Sequence, residues 1–212
     1  MATVLYITAH PGDAKSSFSL SVGQRFVEAY REANPNDEVV HLDLYKMNVP
    51  QLDGEIFGAW GKLSEGIPFD RLSGSEQAKV GRLGELVDQF VAADKYVFVN
   101  PVWNYGFPPV LKAYIDAVCV VGKTFKYEPG VGPIGLLKDK NAAHIQASGS
   151  VLSTGAFASR EMSARHLDVV MNFLGVSSVD TIHVEGMAAS SAQAHEIKEK
   201  AIQQAVRLAE SF

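Results

Sequence analysis

The chain reads as a doubly wound α/β protein: an open five-stranded parallel sheet in the order 2-1-3-4-5, with helices on both faces. Three observations predict this. Five short apolar runs are spread along the 212 residues, and most are followed by a segment whose apolar residues recur at helical spacing. The third run, Tyr96-Val97-Phe98-Val99, is apolar without alternation, as in a strand buried on both faces of a parallel sheet. The loops that leave the first, third and fourth runs are rich in Ser, Gly and aromatic residues, at the strand ends where such sheets bind ligands. The length suits a single domain spanning residues 1–212.

In order, residues 3–8 form a first strand, followed by a loop from Ala9 to Ser19 and a helix carrying Leu20, Val22, Phe26, Val27 and Tyr30. Asn34-Pro35-Asn36-Asp37 ends that helix, and residues 38–44 form a second strand. Residues 45–75 read as a long irregular connection broken by Pro50, Gly54 and Gly58, with Phe57, Trp60 and Phe69 as apolar anchors. A connection of that length in a compact domain covers a site or meets a partner. Residues 76–93 form an amphipathic helix on Val80, Leu83, Leu86, Val87 and Phe90. The third strand opens at Lys95, breaks at Pro101 into an aromatic loop, and leads into a helix over residues 110–118. Pro108 and Pro109 suit that helix's first turn, where no backbone donor is needed. Residues 122–137 alternate aromatic, Gly and Pro residues and read as a second loop without strand or helix pattern. Residues 141–146 are the fourth strand, 160–173 a helix, 176–184 the fifth strand and 191–210 the closing helix.

The three loops make different chemical demands. The first places Ser16, Ser17 and Ser19 at a helix N-terminus, where hydroxyls and unpaired amides either hold an anion such as a phosphate monoester or simply cap the helix. The second packs Trp103, Asn104, Tyr105 and Phe107 into five positions, which either cap the core or offer a platform to a flat heteroaromatic ring. The third, around Ser148-Gly149-Ser150, is small enough to bring backbone close to a ligand. The 2-1-3-4-5 order brings these loops to one crevice. A single flavin mononucleotide (FMN) meets all three demands: phosphate, flat ring and polar ring edge.

Other classes find no support. The formal charge of −5, with both signs interleaved, argues against a nucleic-acid partner. One cysteine, Cys119, permits no internal disulfide and reads as a buried spectator. No stretch approaches the ~20 apolar residues of a membrane span, and the N-terminus moves into a strand pattern without a basic leader, so a cytoplasmic location is expected. There is no Gly-x-Ser-x-Gly elbow for a hydrolase, and His195-Glu196 lacks the second His of a zinc helix. His144, His166, His183 and His195 are therefore expected to be surface or locally bonded residues.

Several blocks carry a resemblance over essentially the whole chain: Pro101-Val102-Trp103-Asn104-Tyr105, Lys112-Ala113-Tyr114-Ile115-Asp116, Gly122-Lys123-Thr124-Phe125-Lys126-Tyr127 and Gly132-Pro133-Ile134-Gly135-Leu136, with Leu52-Asp53-Gly54. In combination they resemble the FMN-dependent NAD(P)H azoreductases of the flavodoxin-like superfamily, relatives of the NAD(P)H quinone reductases. The resemblance implies a homodimer with active sites at the subunit interface. It also implies one non-covalent FMN per subunit, NADH or NADPH as electron donor, and ping-pong reduction of quinones and azo compounds. It places Ser17, Phe18 and Ser19 at the FMN phosphate, with His10 near the phosphate and ribityl chain. Pro101, Val102, Trp103, Asn104 and Tyr105 would lie along the ring. Tyr127 falls on the substrate side; by residue type Tyr127 and His10 are the candidate proton donors, with solvent as the alternative. Ser148-Gly149-Ser150 stands where many azoreductases carry Arg-Gly-Gly, so Gly149 keeps the backbone approach while a fixed positive charge is lost. A flavodoxin-type electron carrier and a non-catalytic flavin-fold scaffold are the alternatives. The long connection over residues 45–75 and the loop at residues 125–127 argue against a carrier, which needs an exposed ring edge.

Overall fold

The structure, a computed structural model, describes residues 1–188 and 191–212. In chain order its strands are β1 (Thr3–Thr8), β2 (Glu38–Asp43), β3 (Lys95–Pro101), β4 (Phe125–Glu128), β5 (Gly132–Gly135), β6 (Asn141–Ser148) and β7 (Ser178–Glu185). Its helices are α1 (Phe18–Ala33), α2 (Gly54–Ser64), α3 (Gly74–Ala92), α4 (Pro109–Val118), α5 (Ser163–Leu174) and α6 (Ala194–Ser211). Five strands pair in the order β2-β1-β3-β6-β7, every pairing parallel, which is the predicted 2-1-3-4-5 sheet.

Period-two alternation along the buried strands divides the core between the two faces of the sheet. Tyr96 and Phe98 of β3 and Leu5 and Ile7 of β1 face α3, α4 and α5, where Leu86, Phe90, Leu111, Tyr114, Leu167 and Met171 are buried. Val97 and Val99, with Val4 and Tyr6, face α1 and α6. The buried stripe of α6 is Ala201, Ala205 and Ala209, one alanine per turn, which lets α6 lie close against α1. Side-chain caps fix helix starts. Ser17 Oγ accepts from the Leu20 amide at the start of α1, and a reciprocal capping box of Ser73 and Glu76 sets the start of α3 at Gly74, ahead of the predicted Glu76.

Two segments read as irregular are ordered. Residues 54–64 form α2 because Asp53 caps it, accepting from the Ile56 amide at 2.9 Å, and because Ile56 and Ala59 bury one face. Ion pairs of 2.6 Å from Lys62 to Glu76 and from Lys79 to Glu55 tie α2 to α3. The anchors also differ from expectation. Ile56 is fully buried, whereas Phe57 and Phe69 are exposed and Trp60 is half-buried. Residues 122–137 form the β4–β5 hairpin, with Gly130 at a φ of 77° in its turn. Pairing of Phe125 with Gly135 ends this ribbon against α5, where a Cβ on Gly135 would lie 2.2 Å from the backbone of Gly175. Among the described residues no helix is long and apolar enough to cross a membrane.

His144, on β6, is fully buried, and burial pushes its pKa from 6.5 down to about 3; His183 lowers it further and Glu161 opposes. The unfolded chain therefore takes up this proton first as the pH falls. The fold is favoured fully above about pH 6.5 and progressively less as the pH drops towards 3. Urea unfolding should show the native protein losing about 2 kcal/mol from this group by about pH 5, and His144→Gln should remove that part of the acid sensitivity.

Candidate functional site

The carboxyl ends of β1, β3 and β6 lie side by side, and hydrogen bonds continue between them beyond the last strand pairs. The Ala9 amide donates to the Val99 carbonyl at 2.8 Å, and the Val102 amide donates to the Ala147 carbonyl at 2.7 Å. Their loops enclose a cavity of about 230 Å³. The β1 loop contributes His10, Ser16, Ser17, Phe18 and Ser19; the β3 loop contributes Pro101, Val102 and Trp103; the β6 loop contributes Ala147, Ser148 and Gly149. Hollows of about 350 Å³ elsewhere, one between α1 and β2 and one between α5 and β7, are not lined by these three loops together.

At one end of the cavity the first turn of α1 presents the amides of Phe18 and Ser19, which have no intrahelical acceptor. Beside them the buried hydroxyls of Ser17 and Ser19 lie 3.1 Å apart. Ser17 therefore both caps the helix and lines the cavity. Ser16 is instead engaged by Asp13, whose Oδ1 accepts from the Ser16 hydroxyl at 2.9 Å and its amide at 3.0 Å. These contacts, the Ser16 hydroxyl first, hold the Asp13 carboxyl below its usual pKa. His10 Nδ1 accepts from the Gly12 amide at 2.9 Å, so the neutral ring carries its proton on Nε2. Burial pushes the His10 pKa down, with Asp13 opposing, which favours that neutral form.

At the other end the β3 loop closes a tight turn. Trp103 and Gly106 exchange both backbone hydrogen bonds, at 2.8 and 3.0 Å, around Asn104 and Tyr105 at φ of 50° and 67°. Two successive positive φ values are the pattern of a type I′ turn, which favours Asn-Gly. Asn tolerates the left-handed region; Tyr at the second position does so at a cost. Among the described residues the amides of Asn104 and Tyr105 find no acceptor, while the Tyr105 carbonyl accepts from the Met162 amide at 3.2 Å. The Trp103 ring remains 39% exposed, touched at its edge by Tyr45.

The β6 loop is held from behind. Ser148 Oγ donates to the Ser150 carbonyl at 2.8 Å, and the Gly186 and Ala188 amides donate to the carbonyls of Ser148 and Gly149. Glu185, at the end of β7, accepts from the Leu152 and Ser153 amides at 2.8 and 3.0 Å. Among the described residues the amides of Gly149 and Ser150 find no acceptor. Gly149 is required sterically, since a Cβ there would lie 2.9 Å from that of Ala188.

This donor set suits FMN. Buried hydroxyls and helix-terminal amides match a phosphate, the Val102–Trp103 surface matches a flat ring, and free amides at Gly149 and Ser150 match its polar edge. Ser17, Phe18, Ser19, His10, Pro101, Val102, Trp103, Ser148 and Gly149 line the cavity together. Asn104, Tyr105 and Ser150 are not among the residues that line it. Tyr127 lies apart on β4, 66% exposed, with its ring edge against Phe125. Glu185 and Met187, which support and line the β6 loop, had no signal in the sequence, because each is an ordinary residue type outside any motif. Cys119 is half-buried at the end of α4, and burial pushes its thiol up to about 11, which keeps it protonated and unreactive. Among the described residues no cluster of His, Cys, Asp or Glu could hold a metal ion.

Known proteins align with the chain from end to end. Residues 2–208 match a family described by its flavodoxin-like fold. The chain is 57% identical over 212 residues to FMN-dependent NADH:quinone oxidoreductase 2 of Bacillus subtilis, with 100% of each chain covered. It is 55% identical over 212 residues to the FMN-dependent NADH:quinone oxidoreductase of Geobacillus kaustophilus, again with 100% of each covered. The crystal structure of an azoreductase from Bacillus anthracis superimposes with a TM-score of 0.92 at 36% identity, covering 100% of both chains. An FMN-dependent NADH-azoreductase from Bacillus anthracis in complex with FMN gives 0.91 at 32% identity, covering 99% of this chain and 98% of that one.

Replacing Tyr105 by Gly creates the favoured Asn-Gly turn. Thermal or urea unfolding of the flavin-free Tyr105→Gly variant should show a gain of up to about 1 kcal/mol over the native chain; a loss would mean that the strain at Tyr105 is smaller than the unfolded-chain entropy that Gly adds.

Proposed function

The chain belongs to the FMN-dependent NAD(P)H azoreductase and quinone oxidoreductase family of the flavodoxin-like superfamily, and from that premise we propose that it transfers two electrons from NADH or NADPH to quinones and aromatic azo compounds. The carrying observation is the cavity on which the first turn of α1 with its serines, the Val102–Trp103 surface and the Gly149 loop converge. Bound FMN would supply the redox chemistry, accepting hydride from the nicotinamide and returning two electrons to the acceptor in a second half-reaction.

The protein's own groups bind and orient. Ser17, Ser19 and the first amides of α1 hold the phosphate, with the His10 Nε2–H as a further donor at the same end. Pro101 to Tyr105 set the position of the ring. The free amides of Gly149 and Ser150 favour negative charge at its pyrimidine edge, a task that the absent family arginine would otherwise share. His10 lies with the phosphate loop, so its role there is binding. The proton needed by an acceptor is assigned to Tyr127.

Tyr127 lies outside the residues that line the cavity, and a second copy of the chain would bring it to the substrate, in a homodimer with shared active sites. In support, Tyr127 is 66% and Val131 70% exposed on one hairpin, an apolar surface that a second copy would cover. An electron carrier would bind the same flavin and differ only in its reaction with the nicotinamide.

The protein purified without added flavin, or reconstituted with FMN, should be yellow. It should bleach under anaerobic NADH or NADPH and recover its colour with a quinone or an azo dye. A yellow protein that neither nicotinamide bleaches would identify a carrier instead, and one that binds no FMN would refute the assignment. Ser17→Ala should weaken FMN about tenfold in a fluorescence titration, while leaving riboflavin, which lacks the phosphate, within about twofold.

A further inference from the structure

Beneath the aromatic turn, on the α5 side of the sheet, a polar chain crosses the core and takes no part in the binding described above. Asn100, the penultimate residue of β3, is fully buried. Its Nδ2 donates to the Pro101 carbonyl at 2.9 Å and, at 3.4 Å, to Ser163 Oγ in the first turn of α5. That orientation turns Oδ1 towards His144, and Oδ1 accepts from His144 Nε2 at 2.8 Å. The proton is thereby fixed on Nε2, and Nδ1 is left in the core without a partner. Burial keeps this imidazole neutral at any working pH.

An apolar pair would fill this volume without stranding a lone pair, which costs stability. The sheet does not need the contact either, because β3 and β6 already pair from Lys95 with Asn141 to Pro101 with Ala147. What the chain does hold is one peptide unit. Asn100 draws the Pro101 carbonyl inward, and the Val102 amide on the same peptide donates to Ala147. With both polar groups of that peptide tied, the Trp103–Gly106 turn leaves the sheet in a single orientation. Its far side is tied to the same helix start, through the Met162 amide on the Tyr105 carbonyl.

We propose that His144 and Asn100 are a positioning pair: by fixing the Pro101–Val102 peptide they set the height and tilt of the Trp103–Tyr105 turn against the flavin ring, and so govern hydride transfer and flavin potential without governing the hold on the phosphate. The inference rests on the FMN assignment above. Neither side chain touches the ring; both act through the peptide that precedes it.

His144→Leu and His144→Gln separate the idea from a purely structural role, because Gln can place its Nε2 near the lost imidazole donor and Leu cannot. FMN is first titrated into the native protein by fluorescence; failure to bind there refutes the FMN assignment and not the pair. With each variant saturated with FMN, anaerobic stopped-flow reduction by NADH, the flavin midpoint potential and the visible spectrum are measured. The expected result for His144→Leu is reduction slowed about tenfold, with a shifted potential and spectrum and an FMN dissociation constant within about threefold of native. His144→Gln should return the rate to within about threefold and restore the potential. Native rate and potential in His144→Leu would overturn the proposal, as would a His144→Gln variant that is folded and equally impaired. Should His144→Leu fail to fold, Asn100→Ser, which releases the Pro101 carbonyl, is read the same way, and a native rate and potential there overturns it.

Discussion

The parallel pairing of β1, β3 and β6 is the constraint on which the site depends. Parallel strands deliver their carboxyl ends to one edge, and here the hydrogen bonds continue into the loops, from Ala9 to Val99 and from Val102 to Ala147. Loop backbones that would otherwise be independent are thereby held at fixed separations. The serine end, the aromatic surface and the Gly149 loop then face a single cavity. A slip of two residues in β6 would leave every core side chain on its proper face and still carry Gly149 away from Trp103.

Helix α5 provides the second fixed point. Its start is capped by the buried carboxylate of Glu161, which accepts from the Ala164 and Arg165 amides at 2.9 and 3.2 Å and from Gln146 at 3.0 Å. The same helix start bonds the Tyr105 carbonyl and approaches Asn100 through Ser163. Core packing on Leu167, Met171 and Leu174 therefore fixes the aromatic turn as well as the sheet face. A turn holding Asn104 and Tyr105 at positive φ persists because its surroundings determine it, with strain placed where a planar ligand would be met.

Exposure completes the functional picture. Trp103 and Tyr105 remain partly open at the cavity mouth, while Tyr127 projects from a two-stranded ribbon anchored at Phe125 and Gly135. A two-stranded ribbon has little core of its own, so its tip is free to follow another surface.

Hydrophobic periodicity made the five strands of the sheet and most of the helices legible, because buried strands and amphipathic helices carry their pattern locally; the order 2-1-3-4-5 followed only as the topology expected of that alternation, and strand pairing realises it. The serines at a helix start and the clustered Trp103, Asn104 and Tyr105 were legible for the same reason: their chemistry lies within a few residues. Residues 54–64 were not legible as a helix, since its glycines hide the pattern and its stability comes from the Asp53 cap and the pairs of Lys62 and Lys79 with distant carboxylates. Nor were Glu185, Met187, or the line from His144 through Asn100 to Pro101, whose partners are separated by tens of residues and meet only through strand register. Sequence determined which groups were available for binding. Tertiary structure decided which of them share one cavity and which peptide they hold, because those contacts arise from pairing between strands and not from any pattern along one.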